Sequence, residues 1–594
     1  MAERKIFAGG EFLITDIRPD DVFAPEEMTQ KHKMIYSAVK DFVKREIEPN
    51  IAQIEEKSEA LTRSLLKIAG EIGLNGTDIP EEYGGEGMDK ISTCLVSDVI
   101  GRTASFAVSH SAHTGIGTLP IVYFGTHEQK KKYLHKLTTG EWVAAYCLTE
   151  SNAGSDALNA QTTAQLSDDG KYYLLNGEKI YITNGAWADV FIVYAKVDGE
   201  KFTGFIVERA FPGFSSGAEE KKMGINGSST TSVVFKNCKV PVENVLFEIG
   251  KGHKIAFNIL NIGRFKLGAG VTGGCKITIA EASKYANSRE QFGRKIGSFG
   301  MIKNKLADMS IRTYMAESII YRLAAMMDDR FHSLDTGTKA LATENAEMLE
   351  AYAVECSIAK VYCSECVDFC VDELVQIFGG NGYIAEYPIE RMYRDARINR
   401  IFDGTNEINR LLIPGTILKR ALQGRLPFFD EIQKLNNENN LYSFDPTMLD
   451  DAFLGIQKYM LTACKKILLI SSGSAVNKFL DSLAEEQEVL AMMADIIIEI
   501  FAVESGLVRA QKYAAAKGEK KAAHHIAAVK IYTNDMVPKV VHWAKQIIAA
   551  AAEGDDLSSR FAAVDRLSTY QPVDTIELRR LIAEKVLKGK KYPF

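Results

Sequence analysis

A single carboxylate, Asp403, lies in the segment "IFDGTNEINR" (401–410), after two large apolar residues and before a glycine. A carboxylate on an apolar background costs free energy unless it is paired with a cation or used in chemistry. The sequence allows two interpretations. Asp403 forms an ion pair with Arg397 or Arg400, both in the preceding arginine-rich stretch. Alternatively, it is a general base whose basicity is raised by removal from water.

The cysteines give a weaker indication of chemistry. Cys363 and Cys366 have the C-x-x-C spacing of a metal site, but a zinc site needs four ligands and the sequence offers no second pair nearby. Cys356, Cys363 and Cys370 follow one another at intervals of seven residues, which places them on one face of a helix. Because free cysteine behaves as a small buried hydrophobe, we expect core packing here and no metal ion.

A glycine pattern and two histidines also have ordinary explanations. The segment "LGAGVTGG" (267–274) contains the G-x-G-x-x-G spacing of a dinucleotide-binding turn. That turn requires a preceding strand, whereas the residues before it indicate a helix, so we expect these glycines to allow close packing of helices. His110 and His113 have no acidic or cysteine ligand beside them and are expected to cap or pack.

Size and charge narrow the class of protein. The chain has 594 residues, of which 46% are hydrophobic and 25% charged. Such a length accommodates about four domains, and the composition is ordinary for a globular protein with a large core. The net charge of −6 argues against general nucleic-acid binding, which requires a basic surface.

The sequence predicts neither secretion nor insertion into a membrane. The N-terminal residues lack the apolar run of a signal peptide. The most apolar candidate, residues 489–503, is interrupted by Asp495 and Glu499, which share one face of a helix, so we expect a bundle helix. The nine cysteines, an odd number, do not indicate a disulfide framework and favour a reducing cytoplasm. The basic C-terminal segment allows peripheral membrane contact at most.

The elements that would position these residues change in type along the chain. Amphipathic helical periodicity comes first, followed by short β-branched and aromatic runs with Asn-Gly and Asp-Gly turns, and then by further helical regions. Residues 423–429 and 434–446 indicate a linker. The predicted fold is mainly α with a middle β domain. We expect an N-terminal helical domain at 1–142, a β domain at 143–250, a helical bundle that carries Asp403 at 251–422, and a C-terminal helical domain at 423–594.

Five segments, taken together with their order and spacing, resemble the acyl-CoA dehydrogenase family. The resemblance covers about residues 25–420 and is specific because five separate motifs agree. The stretch "FGMIKNKLADM" and the extra helical region after residue 420 are most similar to the very-long-chain branch. The five segments are "IPEEYGGEG" (79–87), "YCLTESNAGSD" (146–156), "YITNG" (181–185), "SREQFGRKIGSFGMIKNKLADM" (288–309) and "QIFGGNGYIAEYPIERMYRDARINRIFDGTNEINR" (376–410).

The resemblance implies a fold, a cofactor and a reaction. The fold would combine an N-terminal helical domain, a β-barrel-like domain and a four-helix bundle, with FAD between the last two and partly in contact with another subunit. The reaction would convert a fatty acyl-CoA, with long chains favoured, to trans-2-enoyl-CoA in fatty-acid β-oxidation. A base takes the α-proton, and flavin N5 accepts the β-hydrogen as hydride. An electron-transfer flavoprotein would accept the electrons, and the assembly would be a homodimer or a tetramer.

Asp403 occupies the position of the catalytic base by this resemblance, although the family usually has glutamate before "GTN". Aspartate is one methylene shorter, and a misplacement of about 1 Å can cost on the order of a hundredfold in rate. Some relatives carry the base near residue 263, where this sequence has Gly263. The nitroalkane oxidases, a related branch, use aspartate at the position of Asp403.

The resemblance also assigns residues around the base. They line the flavin, lie behind its ring, reach the partner subunit's FAD, approach the adenosine, or contact the CoA portion of the substrate. The cofactor-binding residues are Tyr146, Leu148, Thr149, Gly154, Ser155, Tyr181, Thr183, Arg289, Gln291, Phe292, Gln376, Gly379, Gly380, Thr405 and Glu407, and the substrate-binding residues are Ser155, Asn261, Arg264 and Phe402.

Two alternatives stay open beside the dehydrogenase. One is a flavin oxidase of the same fold that acts on acyl-CoA or a nitroalkane and passes electrons to oxygen, which the formation of hydrogen peroxide would reveal. The other is a low-turnover protein that binds acyl-CoA or serves in assembly. Its support is the aspartate at position 403 in place of the usual glutamate.

Overall fold

The computed structural model describes residues 4–333, 342–437 and 453–594. The first part is helical, as predicted. Local residues set the helix starts: Thr29 Oγ1 accepts a hydrogen bond from the His32 N–H, and Asp89 Oδ1 accepts one from the Ser92 N–H at 2.7 Å. These bonds satisfy backbone donors that the first turn leaves unpaired. The helices are α1 (Gln30–Phe42), α2 (Ile51–Glu55), α3 (Glu59–Glu71), α4 (Lys90–Ile100), α5 (Ser105–Ala112), α6 (Leu119–Phe124) and α7 (His127–Thr138).

The middle part is an eight-stranded sheet. Its strands are β1 (Ala144–Cys147), β2 (Thr163–Leu166), β3 (Tyr172–Thr183), β4 (Val190–Val197), β5 (Lys201–Glu208), β6 (Phe214–Glu219), β7 (Thr230–Pro241) and β8 (Val245–Leu246). The order is β6-β7-β3-β2-β4-β5-β8, and β1 pairs in parallel with β4, with Tyr146 opposite Ile192. Nearly all of β4 is buried, which explains its almost continuous apolar sequence. The end of β1 therefore delivers the segment after Tyr146 from the middle of the sheet.

The third part is a helical bundle that carries Asp403. Two of its helices, α8 and α11, run side by side and bury most of their residues. A small hairpin, β9 (Glu290–Gln291) and β10 (Arg294–Lys295), follows α8. The helices are α8 (Gly252–Ser288), α9 (Gly300–Ser333), α10 (Ala342–Ala351), α11 (Ala353–Phe378), α12 (Gly380–Tyr383), α13 (Ile389–Ala396) and α14 (Asn406–Leu422).

The glycine pattern at 267–274 lies inside α8, as predicted, and not in a dinucleotide-binding turn. A Cβ at Gly273 would lie 1.8 Å from the Asp98 carbonyl oxygen, and one at Gly268 would lie 2.6 Å from Ile320 Cδ1. No side chain fits at the first position, since the backbone of α4 occupies the space. Close packing of helices therefore explains the pattern.

The last part is again helical. The predicted bundle helix at 489–503 is confirmed as part of a 31-residue helix, and no helix of the described ranges is long and apolar enough to cross a bilayer. The linker prediction is wrong at 428–429 and 434–437, which belong to a helix (Phe428–Asn437), and its residues 438–446 lie outside the described residues. The helices are α15 (Phe428–Asn437), α16 (Gly455–Phe479), α17 (Gln487–Lys517), α18 (Glu519–Ala551), α19 (Gly554–Leu567) and α20 (Thr575–Gly589).

The C-terminal helices pack directly on the bundle. Arg322 of α9 donates to Glu504 of α17 at 2.8 Å, in an ion pair that is almost fully buried. Near the chain end, the Tyr592 hydroxyl donates to Glu317 of α9 at 3.0 Å. Lys465 of the C-terminal region also pairs with Glu504, so removing this carboxylate would take the partner from two buried cations, at a cost of about 3–5 kcal/mol. The C-terminal region is therefore built into the same core as the bundle.

All nine cysteines are free and buried, in agreement with the expected core packing. Their grouping differs from the predicted helical face. Cys275 of α8 joins Cys366 and Cys370 of α11, with 3.7 Å between the sulfurs of Cys275 and Cys366. The partner from α8 could not be found from spacing within one helix. Three thiols are one ligand short of a tetrahedral zinc site.

His110 and His113 pack in the core, as predicted. The Ala144 N–H donates to His113 Nδ1 at 3.0 Å, which leaves Nε2 to donate to the Leu137 carbonyl at 3.0 Å. Burial lowers the pKa of His113 to about 4 and that of His110 to about 3. Both rings are thus neutral at physiological pH, and His113 joins the turn after α5 to the start of β1.

Candidate active site

The Asp403 loop turns sharply into α14. Asp403 and Gly404 both have left-handed backbone conformations, with φ of 56° and 81°. Aspartate tolerates this region better than most side chains. Thr405 then caps α14, because its Oγ1 accepts a hydrogen bond from the Ile408 N–H at 3.3 Å. The turn points the carboxylate away from the helix and toward α8.

The carboxylate of Asp403 faces a small space opposite Gly263. A Cβ at Gly263 would lie 3.4 Å from Asp403 Oδ2 and 3.3 Å from Ile116 Cγ2. Ile116 belongs to the π-helical turn His113–Gly117, which follows α5. The base position and the alternative position near residue 263 therefore face each other, and the glycine leaves room beside the carboxylate.

The ion-pair interpretation of Asp403 does not hold. Within the described ranges, no cation lies at ion-pair distance from its carboxylate, and Arg400 instead pairs with Asp368 at 2.7 Å. Burial raises the pKa of Asp403, and the positive charges of Lys360 and Arg264 oppose this rise. A half-buried carboxylate without a direct partner and with raised basicity has the properties of a general base.

Arg264 and Asn261 hold the loop from α8. Arg264 Nε donates to the Asp403 carbonyl at 3.1 Å, and its Nη1 donates to Asn261 Oδ1 at 3.0 Å. Asn261 in turn donates to the Leu349 carbonyl at 3.3 Å. Both side chains are buried. The structure thus connects them to the backbone of Asp403, and their predicted contact with CoA stays a prediction.

Lys360 supports the loop from α11. It is fully buried, and its Nζ donates to Asn406 Oδ1 at 2.7 Å. Asn406, in the first turn of α14, also donates from Nδ2 to Ser364 at 3.1 Å and to Glu365 at 3.0 Å. Burial lowers the pKa of Lys360 to about 8, against the attraction of Asp403. The ammonium therefore lies close to its titration range, beside the base.

The segment after β1 forms a loop whose first residues are anchored by hydrogen bonds. Lys179 of β3 is fully buried and donates to the Leu148 carbonyl at 3.1 Å and to Glu150 at 2.6 Å. Glu150 also accepts from the Thr162 N–H at 3.1 Å. Beyond this anchor, Gly154 and Ser155 are exposed. An anchored start and an exposed tip are suitable for a loop that contacts a ligand.

The predicted flavin residues near Asp403 come together in the structure. The Tyr146 hydroxyl donates to the Ala256 carbonyl at 3.5 Å, and burial, together with the charge of Asp403, raises the pKa of this tyrosine. The Ile180 N–H donates to the Thr149 carbonyl at 2.9 Å, which joins the loop to the segment of Tyr181 and Thr183. Tyr181 is 64% exposed and has φ of 59°. Its ring thus stands open beside the loop.

The residues next to the base in sequence also lie at this site. Phe402 and Thr405 flank Asp403 and are half-buried, whereas Glu407 is exposed in the first turn of α14. Hydrogen bonds from its own backbone N–H and from Thr405 lower the pKa of Glu407. The turn therefore has a half-buried side, formed by Phe402 and Thr405, and an exposed charged side, formed by Glu407.

A second group of predicted cofactor residues lies at the far end of the bundle. Stacking of Tyr285 on Phe378, with ring centroids 3.9 Å apart, joins the C-terminal ends of α8 and α11. From Lys360 to Gln376 the distance along α11 is about 24 Å at 1.5 Å per residue. The structure therefore does not bring this group to Asp403 within one chain. The group comprises Arg289, Gln291, Phe292, Gln376, Gly379 and Gly380, all exposed.

Sequence reasoning missed several residues that shape the site. Ile116 is distant in sequence from Asp403. Glu150 lies within the motif at 146–156 and Lys179 lies two positions before "YITNG", but nothing in the sequence indicated that they form an ion pair. Lys360 had a visible signal, because it is a single lysine in the otherwise apolar and small-residue run "CSIAKVYC". A charge on the buried side of a helix requires a partner, and Asn406 is that partner.

The space opposite the base leads to a testable expectation. We expect Gly263→Ala to slow flavin reduction by up to about tenfold, because the added methyl displaces the carboxylate by a few tenths of an ångström. Gly270→Ala in the same helix is the matched control, since its Cβ would meet Ser97 at an ordinary 3.5 Å. Stopped-flow reduction rates for both variants give the comparison. Equal rates would show that the space has no role in placing Asp403.

Four family models match the chain. They describe the N-terminal domain of acyl-CoA dehydrogenase at residues 29–141, its middle domain at 145–238, its C-terminal domain at 250–418, and a further acyl-CoA dehydrogenase C-terminal domain at 463–566. The matches follow the observed order of helical, β, helical and helical parts.

Similar proteins extend over the whole chain. A probable acyl-CoA dehydrogenase of Bacillus subtilis is 46% identical over 584 residues, which is 98% of each chain. A crystal structure of an acyl-CoA dehydrogenase from Bacillus anthracis, complexed with FAD, has 46% identity and a TM-score of 0.95 and covers 99% of this chain and 100% of its own. The mouse mitochondrial very long-chain specific acyl-CoA dehydrogenase is 39% identical over 450 residues, 73% of this chain and 64% of the mouse protein. The chain belongs to the acyl-CoA dehydrogenase family of flavin-dependent oxidoreductases.

Proposed function

We propose that this protein removes two hydrogens from a fatty acyl-CoA to form the trans-2-enoyl-CoA, with Asp403 as the base for the α-proton. The observation that carries the proposal is the carboxylate itself. It is half-buried, has a raised pKa and no ion-pair partner within the described ranges, and faces Gly263, whose lack of a side chain leaves a small space beside it. Family membership supplies the reaction class to which such a base belongs.

The residues predicted to hold FAD fit a flat aromatic cofactor with a diphosphate. Tyr181 offers an exposed ring, and the loop beyond Glu150 carries the exposed Gly154, at which a Cβ would touch nothing within 4 Å. Gly379 and Gly380, at the far end of the bundle, are equally open. When bound, the flavin supplies a hydride acceptor. Gly154, Gly379 and Gly380 would therefore allow a cofactor to approach the backbone closely.

The chain's own groups prepare the proton transfer. Burial makes the Asp403 carboxylate more basic, while Lys360 and Arg264 keep it ionised. Arg264 fixes the backbone carbonyl of Asp403, so the carboxylate starts from a defined position. Because the base is already in position before the reaction, part of the entropic cost of proton transfer is removed. Tyr146 and Ile116 narrow the space around it.

A second subunit completes the proposed cofactor site. The group around Arg289 and Gln376 is exposed and lies about 24 Å along the bundle from Lys360, so it contacts FAD only if it serves another chain. Phe292, 93% exposed with φ of 52°, is an unusual aromatic to leave in solvent. A homodimer in which these residues reach the partner's FAD accounts for both features.

We further propose that the substrate carries a long acyl chain and that an electron-transfer flavoprotein accepts the electrons. Similarity to the mouse very long-chain enzyme and the helical region after residue 420 support the chain length. The segment from 113 to 125 lies beside the base through Ile116 and is the proposed wall of the acyl pocket. The acceptor is proposed from family membership.

The product distinguishes the proposal from the oxidase alternative. We expect the purified protein, given palmitoyl-CoA and an artificial electron acceptor without oxygen, to form a product two hydrogens lighter by mass spectrometry. In air without an acceptor, hydrogen peroxide should stay far below the amount of product formed with the acceptor. Stoichiometric peroxide from palmitoyl-CoA or a nitroalkane would establish the oxidase, and no product under either condition would favour the binding protein.

A further inference from the structure

The C-terminal domain touches the helix that follows the base. Asp495 lies on α17, and its Oδ1 accepts a hydrogen bond from Arg410 Nε at 2.8 Å. Arg410 lies in the second turn of α14, which begins directly after the Asp403 loop. An ion pair thus joins a helix outside the bundle to the element that carries the base.

From Arg410 the contacts continue to the base. Both terminal nitrogens of Arg410 donate to the Glu365 carboxylate, at 2.7 and 3.1 Å, in the bidentate geometry that fixes direction as well as distance. Glu365 Oε1 accepts from Asn406 Nδ2 at 3.0 Å, and Asn406 Oδ1 accepts from Lys360 Nζ at 2.7 Å. The Lys360 ammonium then acts on Asp403 through its charge.

A cavity of about 360 Å³ borders these contacts, between the bundle and the C-terminal helices. Its walls include Glu365, Arg410 and Asp495. The three side chains are 19% (Arg410), 41% (Glu365) and 23% (Asp495) exposed, so packing holds them on only part of their surface. The positions of these three side chains therefore depend on their mutual hydrogen bonds, and the free volume allows them to move when one bond is lost.

We propose that Asp495 and Arg410 are positioning residues for Asp403, so that the C-terminal domain orients the catalytic loop from behind. The inference rests on the proposed role of Asp403 as the base. Glu365, held by Arg410, orients the amide of Asn406 with its oxygen on the Lys360 ammonium. If the amide turns, the buried ammonium loses its acceptor and becomes costly to keep charged. The positive charge that keeps Asp403 ionised is then weakened.

The test is Asp495→Asn, which keeps the shape of the side chain and removes its charge. We expect the rate of flavin reduction by palmitoyl-CoA to fall about three- to tenfold. The acid limb of its pH profile should move to higher pH, because Asp403 is protonated more easily. The KM for palmitoyl-CoA should stay unchanged. Lys512→Met is the matched control, since Lys512 of the same helix pairs with Glu27 at 2.7 Å, about 25 Å along α17 from Asp495.

A double mutant tests the route through Lys360. In the Lys360→Met background, Asp495→Asn should shift the acid limb no further, because effects that pass through one group are not additive. A full additional shift would overturn the route. Equal rates and equal acid limbs for Asp495→Asn and Lys512→Met would overturn the proposal itself.

A crystal structure of Asp495→Asn separates this inference from the proposed function. If palmitoyl-CoA does not reduce the wild-type flavin, the proposed function fails and kinetics cannot report on the loop. The crystal structure of the variant tests the positioning role even in that case. A broken contact between Lys360 and Asn406, or a displaced backbone at 401–406, would support the positioning role, and an unchanged loop would refute it.

Discussion

Asp403→Asn should bind FAD and palmitoyl-CoA as the wild type does and reduce its flavin about 10³- to 10⁴-fold more slowly. Asparagine has the same shape as aspartate and tolerates the left-handed backbone of this turn, where φ is 56°. The Asp403 carbonyl still accepts the hydrogen bond from Arg264, so the loop keeps its anchor. What is lost is the basic oxygen that takes the α-proton.

Stopped-flow absorbance at the flavin band measures this rate, and the perturbation of the same band on adding substrate reports binding. Asp368→Asn is the control, because Asp368 is another carboxylate of the bundle and pairs with Arg400 at 2.7 Å. It should reduce its flavin at close to the wild-type rate. Reduction of Asp403→Asn at the wild-type rate would remove Asp403 from the mechanism.

Lys360→Met should slow flavin reduction by about tenfold to a hundredfold on the acid side of the pH profile and much less above pH 8. Burial raises the pKa of Asp403, and the Lys360 ammonium opposes that rise. Without the ammonium the pKa rises further, so a larger share of the enzyme carries a protonated base at a given pH. Since the pKa of Lys360 itself is lowered to about 8, wild type and variant should converge at higher pH.

The reduction rate across pH 5 to 9, with saturating palmitoyl-CoA, gives the acid limb for both proteins. Lys305→Met is the matched control. Lys305 of α9 pairs with Glu373 of α11, the helix that carries Lys360, but this pair lies far from the loop. Coincident acid limbs for Lys360→Met and the wild type would show that the ammonium does not act on the base.

The sequence predicted the parts of the fold that depend on local pattern. Helical periodicity and β-branched runs separated by glycine turns located the helical and β parts in their correct order. The two acids in the apolar stretch 489–503 correctly indicated a bundle helix, now part of α17. The motif around "DGTNE" identified Asp403 as the base position through the resemblance, but the cap that Thr405 provides for α14 was not predicted. The precise domain limits near 142, 250 and 422 stay predictions.

The remaining features arise from contacts between residues distant in sequence. Lys360 and Asn406 are 46 positions apart, and Arg410 and Asp495 are 85 apart. No periodicity within one element links such pairs. The cysteines illustrate the same limit, because a single-helix argument grouped Cys356 with Cys363 and Cys370 and could not include Cys275 of α8. The assigned cofactor roles rest on the resemblance and stay predictions.

The most direct test of the central claim is the visible spectrum of the purified wild-type protein under anaerobic conditions, before and after palmitoyl-CoA is added. We expect a flavin spectrum whose main band bleaches when the acyl-CoA is added, because Asp403 would remove the α-proton and a bound flavin would supply the hydride acceptor. A flavin spectrum that shifts without bleaching would refute the proposed role of Asp403, since the acyl-CoA would then bind beside a base that does not act on it.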